Sequence, residues 1–188
     1  MEIIEVIDRI IKLNSGLKKF WSDSEGWAPI EAAELLSRSR LDRQISLSHC
    51  LKNYIVNPYD ESSDGHLILG WANLGSLVEG TMKLFLSAYY KTYKDDADVI
   101  IMRKEIVNPD VLMLEKLRQF FKRKIWDNDW DEFVHNIQIK RNAIHAFKDR
   151  EIGDYSEFGN NIRQYLEMLR YINSRLPYPD DIYIPREI

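Results

Sequence analysis

Cysteine is all but absent: Cys50 is the single thiol in 188 residues, so no disulfide closes within the chain. That fits a reducing compartment, and Cys50 itself reads as a small buried apolar residue rather than a nucleophile. No apolar run is long and charge-free enough for a membrane span. The longest, residues 67–90, contains Asn73, Glu79 and Lys83. No secretory leader is apparent, because MEIIEVIDRIIKL carries acids where a signal peptide carries bases. Strand-like alternation is scarce, and there are no internal repeats or low-complexity segments. There is no glycine-rich phosphate loop, no GxSxG elbow, no HExxH and no Cys/His metal spacing. His49, His66, His135 and His145 lie far apart in the chain. These absences exclude the motif-bearing nucleotide, serine-hydrolase and zinc-enzyme classes. The expectation is a cytoplasmic protein with no membrane association, no cofactor and no metal.

Apolar content of 45% and charged content of 30% are those of an ordinary globular domain. The net charge of −4 argues against a protein coated in nucleic acid but leaves room for a local basic groove. Helical periodicity dominates. Residues 2–21 align Ile3, Ile7 and Ile10 on one stripe. Pro29 opens a second helix expected to run to about residue 55, carrying SRSRLDR in its middle. Arg38, Arg40 and Arg43 there form either a phosphate-contacting patch or, the plainer reading, a solvated face. After the NPYDESSDG loop, with Asp64 as N-cap, residues 66–92 are apolar around most of the circumference, as a central helix requires. Gly70, Gly75 and Gly80 interrupt that helix, and their cost implies close approach of another backbone, either inside the fold or in a partner. Glu79 and Lys83 have the spacing of an intrahelical ion pair, with a role for Glu79 in a site as the alternative. Residues 93–107 are expected to be irregular. Asn108-Pro109-Asp110 reads as the start of a helix over 109–125, whose Arg118, Lys122, Arg123 and Lys124 suit the negative helix end. A last helix spans 155–176, capped by Asp154, and the proline-bearing tail 177–188 is expected to be extended.

The stretch with chemistry in it is DNDWDEFVHNIQIKRNAIHAFKDREI, residues 127–152, expected to be mostly one helix with a capping box at Asp129 and Glu132. Phe133, Ile137 and Ile144 make its apolar stripe, with Trp130 and Phe147 extending it. Arg141 and His145 fall one turn apart, flanked by Gln138 and Asn142. Such a set suits RNA cleavage without metal. An imidazole titrates near neutrality and can take the proton from a 2′-hydroxyl or return one to the leaving oxygen. Arg141 can clamp the scissile phosphate and Asn142 can orient either group. A single set lacks a second acid–base residue, which a two-fold dimer would supply.

The string KRNAIHAF, followed by a polar turn and an amphipathic helix, resembles the HEPN family, whose signature is an Arg, commonly followed by Asn, and a His one to two turns later. The resemblance implies an all-α bundle that dimerises through this face. It also implies a cleft in which Arg and His of both protomers cut RNA without metal, often in toxin–antitoxin or phage-defence systems beside a nucleotidyltransferase. Arg141 and Asn142 match the start of the motif and His145 its end. One departure is evident: three residues separate Arg141 from His145, where the family usually has four or more. Lys140 has the four-residue spacing but points to the Phe133–Ile137–Ile144 stripe.

The expected architecture is therefore an all-α, HEPN-like bundle of about six helices. It forms one domain over 1–176, with the first two helices either part of the core or an N-terminal extension of a core at 60–176, and an extended Pro-rich C-terminal tail. The expected function is a metal-independent endoribonuclease of a bacterial toxin–antitoxin or phage-defence system. Arg141, Asn142 and His145 are its catalytic set and Gln138 and Lys140 its binding residues. Expected partners are RNA, a second copy through the 127–148 helix, and a nucleotidyltransferase or antitoxin. The alternative is a non-catalytic helical module that binds a partner protein or a nucleotide.

Overall fold

The computed structural model describes residues 1–145 and 147–187. It is an all-α bundle with eight α-helices among the described residues: α1 (Ile3–Trp21), α2 (Ile30–Arg38), α3 (Leu41–Tyr54), α4 (Ser63–Ala88), α5 (Tyr90–Asp95), α6 (Leu114–Lys124), α7 (Asn128–Arg141) and α8 (Tyr155–Arg175). Two of the six expected helices are each divided. The 29–55 helix breaks at Ser39, whose backbone turns extended while its hydroxyl bonds the Leu36 carbonyl at 2.5 Å. Ser37 caps the Glu34 carbonyl in the same way, so two serines compete with the backbone ladder at one point. The 66–92 helix starts earlier, at Ser63, which leaves Asp64 in the first turn rather than at the cap, and it ends at Ala88 before α5 begins.

α4 is the central post. It packs against α2, α3, α6, α7 and α8, and Trp71, Leu74, Leu77, Val78 and Met82 along it are fully buried. α1 lies on α3 and α8 and adds Ile7, Ile10 and Leu17 to the same core. A polar seam crosses this core. Asn14 donates to Ser48 at 2.8 Å, Gln44 donates to the Leu77 carbonyl at 2.7 Å, and the Thr81 and Tyr165 hydroxyls meet at 3.0 Å. Each of these side chains thus has a partner, which ties α1, α3, α4 and α8 into one arrangement.

The α4 glycines admit side chains, not a second backbone. A Cβ on Gly70 would meet Phe158, one on Gly75 would meet Arg141, and one on Gly80 would meet the Gln44 amide. Residues 93–107 are not irregular either. Strand β1 (Ile101–Met102) pairs antiparallel with β2 (Glu105–Ile106). Arg103 and Lys104 both take positive φ (51° and 69°) in the two-residue turn between them. Such turns favour Asn or Gly, and neither is present to announce the hairpin. Asn108-Pro109-Asp110 opens only a 3-10 turn over Pro109–Val111, and α6 begins at Leu114. The Asn108 side chain instead accepts from the Tyr90 hydroxyl at 2.5 Å.

The 177–187 segment holds a 3-10 turn at Asp181–Tyr183 and lies back on α1 and α8. Tyr178 accepts from Trp21 Nε1 at 3.1 Å and donates to Asn173 at 2.7 Å, and Glu187 pairs with Arg170 at 2.6 Å. Burial pushes the Tyr178 phenol well above its ordinary pKa, against the opposing hydrogen bond from Trp21.

Candidate functional site

α7 is capped by Asp127, which accepts from the Trp130 amide at 3.3 Å, and not by Asp129. It packs on α4 through Phe133, Val134 and Ile137, which are buried. The α-helix then stops at Arg141. Asn142–Ile144 form a 3-10 turn, and His145 leaves it with φ −84° and ψ 54°. The expected continuous helix through 152 is therefore shorter. Downstream anchors explain why. Trp71 Nε1 donates to the Ile152 carbonyl at 2.8 Å, and Gly153 turns with φ +67°, which brings the chain back to α8. α8 starts at the Asp154 cap, which accepts from the Glu157 amide at 2.7 Å. Ile144 and Phe147, expected on the apolar stripe, are 44% and 106% exposed.

Despite the break, Gln138, Arg141, Asn142 and His145 line one groove of about 420 Å³. Its facing wall is Glu79 and Lys83 of α4, and its rim is Val111 to Glu115. Arg141 crosses α4 over Gly75 and donates from Nη1 to Glu79 Oε2 at 2.7 Å. The other Glu79 oxygen holds Lys83 at 2.8 Å. The intrahelical pair and the site role considered for Glu79 thus coexist. Burial works to raise the Glu79 carboxyl, but the hydrogen bonds from Lys83 and Arg141 outweigh it and hold its pKa below the ordinary value. The carboxylate therefore stays ionised, and Arg141 stays anchored, at every pH above the usual carboxylate range. Lys83, Glu79 and Arg141 together carry one net positive charge.

Gln138 donates to Glu115 Oε2 at 2.7 Å across the groove. That bond is the main cause of the lowered pKa of Glu115. His145 is exposed, and its amide bonds the Asn142 carbonyl at 3.2 Å. Lys140 is not part of this groove. It is 4% exposed, its Nζ lies 3.0 Å from Glu157 Oε2 and 5.6 Å from the centre of the Trp71 ring, and it locks α7 to α8 and α4. Its expected direction, toward the apolar side, explains why it cannot join the others.

The sequence offers Glu79 a site role only as the alternative to its pair with Lys83, and carries no signal for Glu115 or the 111–114 rim. Glu79 and Arg141 are 62 positions apart, so no local pattern joins them. Cys50 is half-buried and free. Among the described residues no group of three or more His, Cys, Asp and Glu is placed to hold a metal ion, and no helix is long and apolar enough to cross a membrane.

Neither a family model nor a curated protein nor a solved structure matches this chain.

A Gly75→Ala substitution isolates the placement of Arg141. The added methyl would lie 2.6 Å from Arg141 Cδ and 3.0 Å from its Cβ, so the side chain or the end of α7 must shift. Alanine gains about 1 kcal/mol over glycine in a helix interior, which offsets that strain. The expected outcome is a nearly unchanged unfolding midpoint with loss of the Arg141–Glu79 contact. Were the groove to cleave RNA as the sequence leads one to expect, cleavage should fall by about tenfold, since removing one phosphate-stabilising donor is typically worth at least that. Full activity in Gly75→Ala would mean that the position of Arg141 is immaterial.

Proposed function

We propose that this protein is a cytoplasmic, HEPN-like endoribonuclease that cuts RNA without metal. The observation that carries the reading is the convergence of Arg141, Asn142 and His145 on one groove, with Arg141 pre-positioned by Glu79 over Gly75. The 2′-hydroxyl attacks the adjacent phosphorus while an imidazole takes its proton. The P–O5′ bond breaks, and a protonated imidazole gives a proton to the departing oxygen. The products are a 2′,3′-cyclic phosphate and a 5′-hydroxyl. Arg141 offsets charge on the non-bridging oxygens, and being already held in place it loses little freedom on binding. Asn142 and Gln138 add hydrogen-bonding groups beside it, and the exposed Val111 and Met113 give an apolar rim against which a base can lie.

Two imidazoles are needed for the two proton transfers, and a two-fold dimer supplies both. Exposed Ile139, Ile144 and Phe147 on and after α7 favour a second copy on this face. A bacterial toxin–antitoxin or phage-defence role, with an antitoxin or nucleotidyltransferase as partner, belongs to the same reading. The competing reading, a non-catalytic module that binds a protein or a nucleotide, is favoured by one feature: Glu79 already occupies the Arg141 guanidinium at 2.7 Å.

Incubating the purified protein with an unstructured RNA pool in excess chelator separates the two. The proposal expects cut strands. An intact pool, with the protein folded, would leave the binding module.

A further inference from the structure

A second groove, of about 410 Å³, adjoins the first. Arg38 at the end of α2, Arg40 and Arg43 across the Ser39 break, and Lys83 of α4 line it, with Asp110 as the one lining carboxylate among the described residues. The two grooves share Lys83, and Asp110 directly precedes Val111 in the wall of the first. Two of the four cations are already paired: Arg40 with Asp42 at 2.6 Å and Lys83 with Glu79 at 2.8 Å. Arg38 donates to the Glu34 carbonyl at 3.2 Å. Neither Arg38 nor Arg43 has a carboxylate partner among the described residues, and both are exposed. Two guanidinium groups without a carboxylate partner beside a candidate phosphate-cleaving groove are notable in a chain whose net charge is −4.

We propose that the RNA strand held at His145 continues past Lys83 into this second groove, where Arg38 and Arg43 neutralise two of its phosphates. The identity of the ligand rests on the ribonuclease reading; the groove and its cations do not. Guanidinium forks suit phosphate oxygens, and a recessed basic track beside a cleavage groove holds a single strand without reading its sequence. The break at Ser39 is what makes the track. It interrupts the helix between them, so Arg38 and Arg43, which would lie about 140° apart around one continuous helix, edge one depression.

The test is the salt dependence of binding, measured by fluorescence anisotropy with a labelled 2′-O-methyl oligoribonucleotide of about 12 nucleotides, long enough to cover a single-strand site. It has no free 2′-hydroxyl and cannot be cut by the proposed chemistry. Arg38→Gln/Arg43→Gln is compared with the wild type between about 50 and 200 mM salt. Two lost phosphate contacts on a single strand should lower the slope of log K against log salt by about 1.4 and weaken binding about tenfold at the lower salt. Equal slopes in both proteins, or no binding by the wild type, would overturn the inference. Competition by poly-glutamate as effective as by RNA would also overturn it, in favour of an acidic peptide. The readout is blind to catalysis. An uncut RNA pool in chelator would end the nuclease reading and leave a changed slope standing. An unchanged slope would end this inference and leave cleavage standing.

Discussion

Replacing His145 with alanine is expected to lower RNA cleavage by about 10²- to 10⁴-fold, the range a positioned acid–base group contributes. The unfolding midpoint should not move. His145 lies just beyond the 3-10 turn, exposed, and only its backbone contributes a hydrogen bond among the described residues. The substitution therefore removes chemistry without removing packing. Single-turnover rates for the two proteins, alongside denaturant titrations, check both halves. Equal rates would place the proton transfers elsewhere. A fallen midpoint would show that the imidazole is a structural group.

The largest effect on stability should come from Trp71→Ala. Trp71 is fully buried on α4, meets Phe158 edge-on at 5.0 Å, donates to the Ile152 carbonyl at 2.8 Å, and lies under the Lys140 ammonium. Truncation leaves a cavity, an unsatisfied carbonyl and a buried ammonium without its ring. Large aromatic-to-alanine changes in cores cost about 3–5 kcal/mol, and the two polar losses place this one toward the upper end. Urea unfolding should show the midpoint falling with little change in slope. The consequence reaches the groove, because the Ile152 anchor and Lys140 hold the chain on either side of the Arg141–His145 turn. Phe147→Ala is the control: that ring is 106% exposed, and its loss should leave the stability of the single chain unchanged. A small effect of Trp71→Ala would mean that the turn after α7 is held by other contacts.

Helix content was legible because its signal is periodic and local. Ile7 and Ile10 on α1, and Phe158, Ile162, Tyr165 and Leu169 on α8, recur at helical spacing, and all are buried. The Asp154 cap was readable for the same reason, since a side chain three residues from the amide it serves is a short-range pattern. Local reasoning failed where a distant contact decided the outcome. Asn142 to His145 continue a plausible helical pattern, yet the chain leaves the helix there because residues 152 and 153 are held against α4 and turned toward α8. The glycines of α4 were recognised as points of close approach, but their visitors come from α3, α7 and α8, and no pattern within α4 could name them.

The candidate site divides along the same line. Gln138, Arg141, Asn142 and His145 are close in sequence and were found together, and the groove keeps them together although the helix does not. Lys140 is their neighbour in sequence but differs in direction, and burial against Glu157 takes it out of the groove. Glu79 carried only an ambiguous signal, an i,i+4 pair with Lys83, and became part of the site through Arg141 on another helix. The three arginines of SRSRLDR looked like a solvated helix face. The break at Ser39 gives all three a shared groove instead, two of them without a carboxylate partner among the described residues.

The central claim is that this groove cleaves RNA through attack by the 2′-hydroxyl, and the most direct measurement is of the ends it leaves. Fragments made by the wild-type protein in excess chelator should carry 2′,3′-cyclic phosphates and 5′-hydroxyls, and none should accumulate with His145→Ala. Fragments ending in 3′-hydroxyls and 5′-phosphates, or an RNA pool left whole by the folded wild-type protein, would contradict it.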